Sequence, residues 1–313
     1  MKTFAKAAYK ISNWAKYNES LVQRGSITFW FDEETLAHWQ HDNARAKVGR
    51  PFTYSDRAIE VMLTLRELFQ LPYRQTEGLS RSLLKLMQVD VPVPDFTSLA
   101  KRAAKVAIDL GVSRRRGAIH ILVDSTGLKV FGDGEWKVRR YGAGKRRTWR
   151  KLHLAINPDT QEIVAETLTT NSSIDATPVP DLLAAIPGRI KTFCGDGAYD
   201  KWLVYNALAE RGIQPIIPPQ HNAKIKRNGK AEGPPLARDT TIRAIRQIGR
   251  RQWKRQAGYH RRSLAETTMY RMKSTFGAAL KNRSLENQST EVRLRCKILN
   301  QHVQLGLPLF RWD

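Results

Sequence analysis

Cysteine is nearly missing from this chain: Cys194 and Cys296 are the only two in 313 residues, and no CxxC pair occurs. That excludes a disulfide framework and a cysteine-based zinc site as organising devices. No apolar run approaches the ~20 residues needed to cross a bilayer. The opening MKTFAKAAYK lacks the apolar core of a signal peptide. A GxxxxGK[ST] phosphate loop is absent, which argues against an NTPase, and there is neither an internal repeat nor a low-complexity tract. The scarcer charge is negative: 29 Asp plus Glu stand against 53 Lys plus Arg, a net charge of +24 with pI near 10.3. An excess of that size predicts a polyanionic partner, because each neutralised phosphate releases condensed counterions. With no spanning segment, the expectation is a soluble, intracellular protein that works on nucleic acid rather than on a membrane. Hydrophobic residues, 41% of the total and spread along the chain, supply a core, and the length suits about two domains.

Residues 1–112 read as helical. In SDRAIEVMLTLRELFQL (55–71), Ile59, Met62, Leu63, Leu65, Arg66 and Phe69 form a mostly apolar stripe, with Ser55 as N-cap and Pro72 as stop. TEGLSRSLLKLMQ (76–88) is a second helix, broken by VPVPD (91–95), and DFTSLAKRAAKVAIDLG (95–111) a third, stopped at Gly111. A last helix carrying Lys101, Arg102 and Lys105 suits a helix-turn-helix reader of DNA, although any three-helix bundle would read the same way. Beyond SRRRG (113–117) the texture turns to strands: AIHILVDST (118–126), RKLHLAINPD (150–159) and EIVAETLTTN (162–171). A helix (175–187), a strand (190–200), a helix (201–212) and a short strand (213–219) follow. Three strands followed by helix–strand–helix–strand predict a mixed α/β sheet.

Two basic segments interrupt this core. KVRRYGAGKRRTWRK (137–151) holds eight Lys or Arg and no acid, with Gly142 and Gly144 at a hairpin tip; Arg146 and Arg147 lie here and are candidate DNA contacts. Residues 221–262 hold thirteen Lys or Arg against Glu232 and Asp239. Such one-sidedness favours a bound polyanion over a solvated face.

Among the acids, Asp124 closes the apolar strand HILVD, Asp196 follows a strand between two glycines, and Glu266 stands alone among cations in YHRRSLAETTMYRMK (259–273). Carboxylates at strand ends beside basic segments are what a divalent-cation phosphoryl-transfer site requires. As one helix, Tyr259, Arg262, Glu266 and Lys273 fall within an arc of about 60°, next to a buried stripe of Ala265, Met269, Met272 and Phe276. The face of about 21 Å suits a DNA strand with a metal ligand at its middle. Other residues carry plainer readings: Asp200 as an N-cap, His153 as a core histidine, and Trp136, Trp149 and Trp253 as sheet packing as readily as base stacking. His260, beside Tyr259, is a weaker candidate for a DNA contact.

The sequence resembles the bacterial insertion-sequence transposases of the DDE type. Their signature Y-x2-R-x3-E-x6-K is matched without a gap by Tyr259, Arg262, Glu266 and Lys273, and the first two acids match Asp124 in VDST and Asp196 in GDGAYD, over about residues 117–275. The resemblance implies a ribonuclease H-like catalytic domain at 113–313 with a small basic insertion at about 221–257, preceded by an all-α helix-turn-helix-like end-binding domain at 1–112. It implies two Mg²⁺ ions, replaceable by Mn²⁺. Asp124 would bridge both, with Asp196 and Glu266 each holding one, while Tyr259, Arg262 and Lys273 would contact phosphates. It further implies double-stranded DNA partners, namely terminal inverted repeats and a target. A homodimer or larger assembly at synapsis and a place in the bacterial cytoplasm on the nucleoid also follow. Two alternatives stay open: a DNA-binding regulator whose catalytic-like domain serves only assembly, and a metal-dependent nuclease that cuts without joining.

Overall fold

The computed structural model of the chain describes residues 9–43, 51–113, 117–130, 149–226 and 236–312. These group into two units, one made of the described residues up to Ile108 with those from Ile298 onward, the other of Asp109–Lys297. The helical unit thus takes in the C-terminal residues.

In the first unit, strand β1 (Tyr9–Ile11) pairs antiparallel with β8 (Phe310–Trp312). Six helices follow β1: α1 (Trp14–Gln23), α2 (Ile27–Trp30), α3 (Glu33–Ala37), α4 (Asp56–Leu68), α5 (Tyr73–Leu86) and α6 (Phe96–Ala103). Side-chain caps start three of them: Asp32 accepts from the Thr35 amide, Ser55 from that of Ala58, and Asp95 from those of Thr97 and Ser98. Helix α4 packs against both α5 and α6 and is buried along most of its length, including Arg66. That guanidinium pairs with Glu67 at 2.5 Å and lies 4.3 Å from the centre of the Tyr73 ring. Phe69, expected inside, is exposed. The third predicted helix ends at Ala103 rather than Gly111. From Lys105 to Leu110 burial alternates residue by residue, with Val106, Ile108 and Leu110 inside. Such a period of two marks extended chain. Lys105 therefore lies beyond the helix.

The second unit is a mixed sheet in the order β4-β3-β2-β5-β6, with β7 also paired to β2. Its strands are β2 (Ile119–Val130), β3 (Trp149–Ile156), β4 (Ile163–Thr170), β5 (Ile190–Cys194), β6 (Gln214–Ile216) and β7 (Ala279–Leu280). β3 runs antiparallel to both β2 and β4, whereas β5 lies parallel to both β2 and β6, and β7 parallel to β2. The β3–β4 turn is held by Asn157, whose Oδ1 accepts the Asp159 amide at 2.9 Å. Helices α7 (Val179–Ala184) and α8 (Trp202–Glu210) cover one face. There Val179, Leu182, Val204 and Leu208 share a core with Ile121, Val123 and Phe193. Strand side chains alternate, so Leu122 and Asp124 face the other way. After α9 (Ala237–Ile248) and α10 (Arg250–Gln256) comes α11 (Ser263–Phe276), which packs on β2. Helix α12 (Leu285–Leu305) closes the element order before β8. The strand order and directions make this the ribonuclease H-like mixed sheet that the resemblance implied.

Candidate functional site

Sheet register brings two distant aspartates together. The parallel pairing of β2 with β5 ends at Leu122↔Cys194. Asp124 and Asp196 each lie two residues beyond that rung. The sequence places Asp124 at the end of its strand, and the structure does not. β2 runs on to Val130, paired with β3 through Lys129↔Trp149. The polar residues Ser125 and Thr126 continue the strand, and their hydroxyls find partners elsewhere in the chain. Ser125 Oγ donates to Asp175 Oδ1 at 2.9 Å, and Thr126 Oγ1 accepts from Lys273 Nζ at 2.6 Å. Past β5, Asp196 turns the chain: its Oδ1 accepts the Ala198 amide at 2.8 Å and starts the 3₁₀ turn Gly197–Tyr199. Gly195 is needed here for space, since a Cβ on it would sit 2.8 Å from the Tyr199 ring.

The third acid arrives on α11. The segment is not one helix: Gly258, at φ 68°, opens a 3₁₀ turn over Tyr259–Arg262, and α11 starts at Ser263. The expected buried stripe is present, with Ala265, Met269, Met272 and Phe276 all inside. Arg262 leaves the turn toward β2. Its Nη1 donates to Asp124 Oδ2 at 2.6 Å and its Nη2 to Glu266 Oε1 at 2.5 Å, so one guanidinium spans two of the three carboxylates. It also lies 6.0 Å from the Tyr259 ring centre.

Burial pushes the Asp124 carboxyl above its ordinary range; the Ser125 amide and Arg262 oppose the shift, while the charges of Asp196 and Glu266 add to it. Burial alone would lower the Arg262 guanidinium, but Asp124, Tyr259, Glu266 and Asp196 outweigh it and hold the group above its usual value. Tyr259 is raised mainly by burial. Glu266 is 60% exposed against 15% for Asp124, so the site opens on the helix side.

The remaining candidates have mixed outcomes. Asp200 is no helix cap; Lys201 holds that position. Asp200 is buried against Arg238, with Nε–Oδ1 at 2.7 Å and Nη2–Oδ2 at 3.0 Å, and it also accepts from the Gln220 amide and the Tyr205 hydroxyl. His153 is fully buried, bonded to Thr169, and lowered by burial to about 4. Trp253 is core. In the first unit Lys101 and Lys105 are exposed. Arg102 is instead tied inward to the Tyr54 carbonyl and Asp56, over the Phe52 ring. Arg146, Arg147 and Trp136 lie outside the described residues, as does part of the expected basic insertion.

Asp124, Asp196 and Glu266 are the carboxylates here able to hold a hard cation. Among the described residues no three potential ligands are drawn into a closed metal-binding set. Two observations nonetheless fit the group: the acids repel one another across Asp124, and a cationic side chain already balances two of them. A set that attracts positive charge and offers only oxygen suits magnesium or manganese. Two family models, both described as Transposase DDE domain, match the chain over residues 22–133 and 115–301; the second contains all three acids.

Proposed function

The chain belongs to the DDE transposase family, and from that premise we propose that it binds the terminal inverted repeats of an insertion sequence, hydrolyses the phosphodiester at each end and joins the freed 3′-hydroxyls to target DNA. Members of this family are metal-dependent enzymes that cut and join DNA. In the proposed site Asp124, Asp196 and Glu266 would hold two Mg²⁺ or Mn²⁺ ions, which would lower the pKa of a water and neutralise charge on the phosphoryl oxygens. The remaining work falls to the chain's own groups. Lys273, set on Thr126 beside Asp124 on β2, Tyr259 and Arg262 grip phosphates flanking the scissile bond. Lys101 and Lys105 contribute to holding the repeat from the first unit, and Arg146 and Arg147 extend the cationic track. Joining two ends calls for a homodimer or larger assembly at synapsis. No helix among the described residues is long and apolar enough to cross a membrane.

The observation that carries the proposal is the register Leu122↔Cys194, two residues short of Asp124 on β2 and of Asp196 just past the end of β5. The test is Asp124→Ala, Asp196→Ala and Glu266→Ala, each assayed for end cleavage and strand transfer. Each should lose at least about 100-fold in rate while retaining end binding in a gel shift. Near-normal strand transfer by Glu266→Ala would remove it from the site.

A further inference from the structure

Arg262 donates to two acids at once. Its Nη1 and Nη2 reach Asp124 and Glu266 at 2.6 and 2.5 Å; Asp124 lies 138 residues from Arg262 in the chain and Glu266 only 4. A guanidinium cannot be neutralised at any working pH. While it bridges the pair, it uses carboxylate lone pairs that a metal would need, and it opposes an incoming cation with its own charge. Asp196 has a different partner, the Ala198 amide.

We propose that Arg262 makes divalent-metal binding conditional on DNA, because it releases Asp124 and Glu266 only when a phosphate takes over its two N–H groups. This rests on the assignment of the three acids as metal ligands. Three features support it beyond the bridge itself. Arginine's planar fork suits a phosphate as well as it suits a carboxylate, so the exchange costs little in geometry. The neighbouring cations, Lys254 over the Tyr259 ring at 4.8 Å and Lys273 on Thr126, give a DNA backbone other places to bind along the same face. Glu266 is also 60% exposed, so the Arg262–Glu266 half of the bridge faces solvent, where a phosphate can reach it. By linkage, if metal and DNA each bind better once Arg262 has moved, each strengthens the other by the same factor. Arg262 thus acts as a positioning residue that keeps the hydrolytic centre incomplete until an end has docked.

The test uses the full chain and Mn²⁺ as a paramagnetic probe, titrated with and without a short duplex taken from the DNA flanking its own coding sequence. In the unaltered protein, duplex should tighten Mn²⁺ binding by about tenfold or more. Arg262→Gln should bind Mn²⁺ tightly without DNA and lose most of the dependence on duplex. Arg262→Lys retains the charge but lacks the fork, and should show a reduced dependence in the same direction; it carries the comparison if Arg262→Gln does not fold. The proposal is overturned if duplex leaves the unaltered protein's Mn²⁺ affinity unchanged. It is equally overturned if the substituted protein shows the same dependence on duplex as the original. Asp196→Asn separates this from failure of the ligand assignment. If that substitution leaves Mn²⁺ binding intact under every condition, the assignment of the acids has failed, whatever Arg262 does.

Discussion

Asp200→Asn distinguishes a helix cap from a buried ion pair. Asparagine caps a helix about as well as aspartate, so a cap would lose almost nothing. The structure predicts otherwise. The Asp200 side chain is 0% exposed and that of Arg238 15%. Two charged hydrogen bonds link them, at 2.7 and 3.0 Å. At about 1.5–3 kcal/mol for each hydrogen bond to a charged group, the pair is worth several kcal/mol against a lone buried guanidinium. Removing one partner from a buried pair costs about 3–5 kcal/mol, a large part of a stability of about 5–15 kcal/mol. Urea unfolding should show the loss, and amide exchange should speed up most in Gly197–Tyr199, α8 and α9, the elements that Asp200 ties together through Tyr205, Gln220 and Arg238. The pH dependence has a definite sign. Burial raises the Asp200 carboxyl, but Arg238, Gln220 and Tyr205 together hold it below its ordinary value. Its contribution is therefore complete above an unfolded pKa of about 3.9 and disappears as the pH falls through the lower, folded value. The gap between the two proteins should narrow in acid. A loss below about 1 kcal/mol at neutral pH would refute the ion-pair argument.

Two further predictions test the histidine and the basic helix. His153 is held by burial at about 4, against about 6.5 in an unfolded chain. The unfolded state takes up a proton first, so stability falls as the pH drops from about 6.5 to about 4. His153→Gln should remove about 3 kcal/mol of that pH dependence, read from urea midpoints; an unaltered profile would refute it. Lys101→Ala with Lys105→Ala should reduce the salt slope of end binding by about two and spare the melting temperature. Arg102→Ala, which loses its Tyr54, Asp56 and Phe52 contacts, should lower the melting temperature; the opposite pattern in the two variants would reverse the assignment.

Much of the sheet was legible because its strands follow local rules. Apolar alternation in Leu152, Leu154 and Ile156 and the Asn157-Pro158-Asp159 turn announce β3 and its end. Two of the misread places share one cause, which is satisfaction at a distance. Ser125 and Thr126 look like the end of a strand because polar residues usually stop one; their hydroxyls are matched by Asp175 and Lys273, 50 and 147 residues away. Asp200 looks like a cap because its true partner, Arg238, is 38 residues on. The segment after Ala103 failed for a different reason. Two periods overlap there, and Val106, Ile108 and Leu110 keep to the strand period.

The same contrast runs through the candidate site. Spacing along the chain makes Arg262 and Glu266 an i,i+4 pair, and on a helix such a pair is an ordinary surface bridge worth a few tenths of a kcal/mol. Nothing local says that Asp124 will take the other half of the guanidinium. That follows from long-range pairing: β2 must extend past Leu122, and β5 must end at Cys194. Gly258 must also take a left-handed conformation for the 3₁₀ turn to aim Arg262 at the strand. Each condition is a property of the assembled sheet and its crossing helix. A motif of four residues can therefore name candidate groups, while the fold around them decides how their charges are paired.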